Sequence, residues 1–318
     1  MSERSGLTEI FKKRDNQSDD MDLLMHVIKT MHSFAVKGDY VSPEDLERQR
    51  SAQDRFCRLV TPSKGIEYKG FDIDGIPAEW SIPEFPHHKK HIILYCHGGG
   101  YTCGNLNYAR ILSGKLALNT GFEVLSFAYR LAPENQYPAA IEDAMKVWDY
   151  LMYRGYGASD VIIAGDSAGG NMALEICISL KDMERKMPRA LILMSPWTDM
   201  SMSGSSYKVW KEKDPMLNED YIKAVRGAYA GEKADFKNPS LSPLFADLNG
   251  LPQTMIQVGS NEILRSDSES LAKKLRQCGI LARLEVYKGG WHVFQQMPLP
   301  ISARAMKEIG DFTGEIIR

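Results

Sequence analysis

Residues 161–180, VIIAGDSAGGNMALEICISL, narrow the fold more than any other part of the chain. Four apolar residues, Val161 to Ala164, run into Gly165-Asp166-Ser167-Ala168-Gly169. Met172, Ile176 and Leu180 then recur at helical spacing. A short buried strand that passes through a tight turn into a helix is a building unit of a parallel sheet. Gly-x-Ser-x-Gly alone is a common pattern, and glycines at strand–helix junctions also serve packing or phosphate binding. In this context, however, the pattern reads as an elbow that lifts a serine hydroxyl out of the chain. Ser167 then sits at a helix N-terminus, which favours developing negative charge.

The rest of the chain repeats that rhythm. Strands are predicted at 91–96, 122–129, 161–164, 190–194, 254–258 and 283–287. Helices are predicted near 107–118, 138–153, 168–183, 266–278 and 302–317. Near-continuous apolar strands alternating with helices imply a parallel sheet covered on both faces. Before it, residues 65–82 alternate around Asp74-Gly75 and predict a hairpin. Residues 20–35 carry a helical pattern, and a second begins at Pro43 with Ser42 as its N-cap. Residues 200–235 are polar and aromatic and break the alternation, with a helical stretch around 220–229. The expected organisation is a helical cap segment over 1–60 and a catalytic domain over 61–318, with 200–235 inserted as a second cap segment. Ligands of open α/β sheets bind at the C-terminal strand edge, beneath such a cap.

Composition excludes several classes. A formal net charge of −2 favours neither nucleic acid nor an anionic membrane as a partner. No apolar run approaches the roughly 20 residues of a bilayer span, and the first residues, MSERSGLTEIFKKRDNQ, lack the apolar core of a signal peptide. Five scattered cysteines without a Cys-x-x-Cys pair predict a reducing cytoplasm and no structural zinc, with Cys96 and Cys177 as small core residues.

A serine nucleophile needs a base, an acid and donors for an oxyanion. The strand at 91–96 ends in His97-Gly98-Gly99-Gly100. Consecutive glycines are entropically unfavourable unless the backbone has a special task. No Lys-Ser/Thr follows, as a Walker-type phosphate loop requires. The loop instead reads as one that turns the N–H groups of Gly99 and Gly100 toward an oxyanion, joined by Ala168 N–H, while His97 and Gly98 hold its shape. Among seven histidines, His26 and His32 fall in the first helical pattern, and His87, His88 and His91 crowd a polar loop. His292, in KGGWHVF after the last strand, takes the base position, since the order Ser, acid, His suits this architecture. For the acid, Glu262 directly follows the strand's Gly-Ser-Asn turn, whereas Asp267 reads as a helix start. Glu262 is preferred, with Asp267 as its rival. Tyr101 and Trp291 flank the two loops as candidate pocket residues, ordinary packing being the alternative. Asp166 is expected to hydrogen-bond neighbouring loops.

Together these motifs resemble the hormone-sensitive-lipase-like (bacterial family IV) carboxylesterases of the α/β-hydrolase superfamily. The similarity rests on HGGG at 97–100, GDSAGGN at 165–171, YRLAPENQYPAAIEDA at 129–144, SPWTDMS at 195–201, the Glu262 position and WHVF at 291–294. It spans roughly 65–318. One departure is Glu262-Ile263, where the family usually has Asp, often followed by Pro. The resemblance implies an α/β-hydrolase fold: an eight-stranded, mostly parallel sheet flanked by helices, with an N-terminal helical cap. It implies a Ser167–Glu262–His292 triad and a Gly99, Gly100 and Ala168 oxyanion hole. The expected activity is hydrolysis of short- to medium-chain acyl esters without cofactor or metal. The 129–144 stretch is expected to buttress the loops beneath the site. Family members are often dimers, and the edge of the last strand is the candidate surface for a homodimer. A sugar-acetyl ester or an amide as substrate stays open. Non-catalytic binding, as in plant gibberellin receptors, stays open too, although those relatives lack the histidine that His292 supplies here.

Overall fold

Alternating apolar side chains build two cores on opposite faces of one sheet. In a computed structural model, which describes residues 42–59 and 63–317, eight strands form that sheet. They are β1 (Ile66–Ile73), β2 (Ile76–Pro83), β3 (His88–Cys96), β4 (Phe122–Phe127), β5 (Val161–Asp166), β6 (Ala190–Met194), β7 (Gln253–Gly259) and β8 (Ala282–Tyr287). Their order across the sheet is β1-β2-β4-β3-β5-β6-β7-β8. β2 pairs antiparallel with both β1 and β4, and every pairing from β4 through β8 is parallel. The β1–β2 hairpin turns through Asp74 and Gly75, at φ 49° and 86°, the left-handed pair that a two-residue turn requires.

Seven helices are labelled α1 (Pro43–Leu59), α2 (Leu106–Thr120), α3 (Ala139–Tyr153), α4 (Ala168–Asp182), α5 (Glu219–Ala230), α6 (Arg265–Gln277) and α7 (Pro300–Ile316). Ile92, Leu94 and Cys96 of β3 join one core with Trp148 of α3, Met172 of α4 and Leu271 of α6. Ile93 and Tyr95 join the other, with Leu112 of α2 and Ile309 of α7. This is the period-two alternation of a strand buried on both sides. Ser42 caps α1 by accepting from Asp45 N at 3.0 Å, with Pro43 in the first turn.

The eight expected elements of the hairpin and parallel sheet are present. The strand from Phe122 is shorter than predicted, ending at Phe127. The 20–35 helical pattern, with His26 and His32, lies outside the described residues, as does all of the expected 1–60 segment before residue 42. Within 200–235 the described structure is one helical turn, Ser206–Val209, and α5. All five cysteines are free thiols, with Cys96 and Cys177 buried. No helix is long and apolar enough to cross a membrane among the described residues.

Candidate active site

Parallel strands deliver their C-terminal ends to one edge of the sheet, and each expected site residue ends such a strand or follows it. Ser167 leaves β5 at φ 53° and ψ −119°, a conformation worth about 1–3 kcal/mol of strain for a residue with a side chain. Close packing enforces it. A Cβ on Gly165 would lie 2.1 Å from Gly169 O, and one on Gly169 would lie 2.0 Å from Cys96 O. Only glycine at both positions lets α4 start this close to the β3 end.

His292 Nε2 lies 2.9 Å from Ser167 Oγ. Its Nδ1 faces Glu262 Oε1 at 3.4 Å. The other oxygen, Glu262 Oε2, accepts from Ser195 O–H and Gly259 N–H, each at 2.9 Å. Ser195 Oγ in turn accepts from Val293 N at 3.1 Å. One hydroxyl at the β6 end thus ties the carboxylate to the histidine loop. Asp267 is buried elsewhere. It accepts from Thr198 N, Asp199 N and Tyr207 O–H, and burial first, then the facing Asp199, pushes its pKa well up. Glu262, not Asp267, is the carboxylate brought to His292.

The glycine loop is held from below. Asp166 accepts from Tyr95 O–H (2.5 Å), Gly98 N (2.9 Å) and Tyr108 O–H (3.1 Å). Burial raises its pKa against those three donors. His97 is enclosed, its Nδ1 2.8 Å from Gly98 O, its ring stacked on Tyr129 at 4.2 Å, and burial lowers its pKa to about 4. At neutral pH it is uncharged and serves the loop's shape. Tyr129 O–H donates to His97 O, and Arg130 pairs with Asp143, so the 129–144 segment supports this loop. Gly99 N and Gly100 N find no acceptor among the described residues. Ala168 N belongs to the first turn of α4, where N–H groups have no intrahelical partner.

A cavity of about 160 Å³ opens on these groups. Ser167, His292, Gly99 and Gly100 line it from the sheet side. Gln49, Ala52 and Gln53 of α1, Met216 to Asn218, and Tyr221, Ile222 and Val225 of α5 form further walls. Tyr101 and Trp291 do not line it. Tyr101 stacks on Tyr229 at 3.9 Å and donates to Asn171, while Trp291 is buried in a cluster with Tyr287 and Phe294. Both are packing residues, because each flanking loop turns its large ring into the core.

Three supporting groups were not singled out from the sequence. Ser195 opens the SPWTDMS stretch and follows a parallel strand, but neither feature marks its bond to Glu262. Lys115 of α2 donates to the carbonyls of Gln295, Gln296 and Met297, just after His292; burial lowers its pKa to about 8. Asp214 accepts from Met216 N, Leu217 N and Ile263 N, with burial first raising its pKa to about 6 against the field of His292. No pattern in the polar insertion marks it. Among the described residues, no cluster of His, Cys, Asp and Glu could hold a metal ion.

The family is decided by comparison with known proteins: a family model described as the alpha/beta hydrolase fold matches residues 93–296. The chain belongs to this α/β-hydrolase family. It is similar to an esterase of Acinetobacter venetianus, 34% identical over 265 residues, covering 83% of this chain and 87% of that protein. An acetyl-hydrolase of Streptomyces hygroscopicus is 31% identical over 304 residues, 94% of this chain and 98% of that one. A crystal structure of an esterase from the bacterial hormone-sensitive lipase family superposes with a TM-score of 0.87 at 30% identity, covering 95% of this chain and 100% of that chain. This α/β-hydrolase is a hormone-sensitive-lipase-like carboxylic ester hydrolase.

Proposed function

We propose that this hydrolase cleaves short- to medium-chain acyl esters through an acyl-enzyme on Ser167. The observation that carries the reading is the 2.9 Å contact between His292 Nε2 and Ser167 Oγ at the wall of the cavity. Ser167 Oγ attacks the ester carbonyl as His292 takes its proton. Glu262 keeps Nδ1 protonated and stabilises the imidazolium. The tetrahedral oxyanion rests on Gly99 N, Gly100 N and Ala168 N. His292 returns the proton to the leaving alkoxide, and the alcohol departs. Water then repeats the sequence on the acyl-enzyme, regenerating Ser167 and releasing the acid.

Substrate size follows from the walls. Described parts of the two cap segments, α1 and residues 216–225, face the same cavity as the serine, so they set acyl length. About 160 Å³ suits a small acyl group, in keeping with relatives named acetyl-hydrolase and ethyl acetate hydrolase.

The test is hydrolysis of p-nitrophenyl acetate, butyrate, octanoate and palmitate by wild type and Ser167→Ala. Turnover of the shorter esters that vanishes in the variant is the expected result. Turnover that survives in Ser167→Ala removes the serine mechanism, and a preference for palmitate removes the chain-length reading.

A further inference from the structure

Beside the proposed triad lies a carboxylate that the chemistry above does not use. Asp214 is only 3% exposed, and its two oxygens do different jobs. Oδ1 accepts from Met216 N at 2.8 Å and Leu217 N at 2.9 Å, closing a turn within its own segment. Oδ2 accepts from Ile263 N at 2.9 Å, across a separation of 49 residues. Ile263 is the residue after Glu262, and Met216 and Leu217 are cavity walls. One buried side chain therefore bolts the substrate-facing insertion to the turn that carries the acid.

Glu262 has need of such a bolt. Its own fixed contacts are at Oε2, on Ser195 and Gly259, while Oε1 meets His292 at the longer 3.4 Å. The carboxylate's reach to Nδ1 depends on the backbone that follows β7, and Asp214 pins that backbone one residue later.

We propose that Asp214 is a positioning residue that acts through Glu262, holding the acid's turn in register with the cavity wall. The proposal rests on the triad reading given above. It accounts for why a carboxylate is used where an amide would satisfy the local turn: only a carboxylate accepts on both oxygens.

The test is a double-mutant cycle on p-nitrophenyl butyrate, comparing wild type, Asp214→Asn, Glu262→Gln and the double variant, with urea unfolding of each. Asn keeps the acceptor for Met216 and Leu217 but turns a donor toward Ile263 N–H. The expected loss for Asp214→Asn is about tenfold or more in kcat with KM within about twofold, and less than about twofold when Glu262 is already replaced. If the Asn variant does not fold, Asp214→Ser, which retains an acceptor for the local turn, is carried through the same cycle. Losses that multiply in both backgrounds, or a raised KM at unchanged kcat, overturn the proposal and leave the triad standing. Wild-type kcat in Glu262→Gln overturns the triad assignment, and this proposal with it.

Discussion

Replacing Glu262 by glutamine tests the site where its hydrogen-bond bookkeeping leaves least room. A glutamine side chain offers one acceptor oxygen and one donor nitrogen. If the oxygen stays on Gly259 N–H and Ser195 O–H, the amide N–H₂ faces His292 Nδ1. The imidazole then accepts at Nδ1 and carries its proton on Nε2, pointed at Ser167 Oγ, and the proposed base is gone. If the amide flips, Nδ1–H keeps its acceptor, but the buried Gly259 N–H is left against a donor, at about 1–3 kcal/mol. The active tautomer thus falls to a minor population. Even that population lacks the negative charge opposite the imidazolium, a charge-assisted bond worth about 1.5–3 kcal/mol. The two effects predict a loss of roughly 10²–10⁴-fold in kcat. Asp267→Asn is the control. Its Oδ2 serves Thr198, Asp199 and Tyr207, while Oδ1 has no partner among the described residues. An asparagine places its oxygen on the three donors and loses nothing there. Both variants are assayed on p-nitrophenyl butyrate at neutral pH, with stability checked by urea unfolding. A Glu262→Gln protein that keeps more than roughly a tenth of wild-type kcat refutes the reasoning, as does an Asp267→Asn protein that loses as much.

Three further outcomes follow from buried groups. Glu175 is 4% exposed, its Oε1 is unpaired among the described residues, and burial first, then Asp182, raises its pKa to about 8. The folded pKa lies above the unfolded one, so its stability contribution is complete below pH 4.5 and is lost as pH rises to about 8. Glu175→Gln is therefore more stable than wild type by about 3 kcal/mol at neutral pH, shrinking toward acid; urea melts showing a pH-independent difference would sink this. His97 has the opposite sign. Its pKa is depressed to about 4, so stability present above pH 6.5 is lost as pH falls toward 4, by about 3 kcal/mol. His97→Asn, which keeps a donor for Gly98 O, flattens that acid limb, and an unchanged limb in the variant counts against it. Gly169→Ala drives a Cβ to 2.0 Å from Cys96 O and 2.7 Å from His97 O. Overpacking of about 1–3 kcal/mol lowers Tm and, by moving the glycine loop, kcat; a variant with unchanged Tm and kcat contradicts it.

What the sequence disclosed was local. The passage from period-two to helical spacing at Ser167 and the Asp74-Gly75 turn are written in adjacent residues. The strand ends that carry Glu262 and His292 are legible in the same way, so the elements around them were expected where they are found. The proposed acid was harder. Glu262 and Asp267 stand five positions apart on one turn-to-helix segment, and only the direction in which α6 leaves the sheet aims Asp267 at Thr198 and Asp199. Tyr101 and Trp291 show the same limit, since a flanking position does not say which side of a loop a ring takes. Ser195, Lys115 and Asp214 act across 67, 180 and 49 residues respectively. No local pattern encodes such partnerships; they exist only once the parallel strands have been stacked in order.

That stacking gives turnover a second meaning. Ser167 and His292 lie 125 residues apart in the chain, and Asp166 reaches Gly98 across 68. Every such contact spans at least one crossover of the parallel sheet, and pairings of this kind form slowly because long loops must close first. No early, locally folded species can hold the serine, the histidine and the glycine loop together. On the proposed triad, ester hydrolysis regained during refolding therefore reports that β3, β5, β7 and β8 have all docked, a readout separate from helix formation.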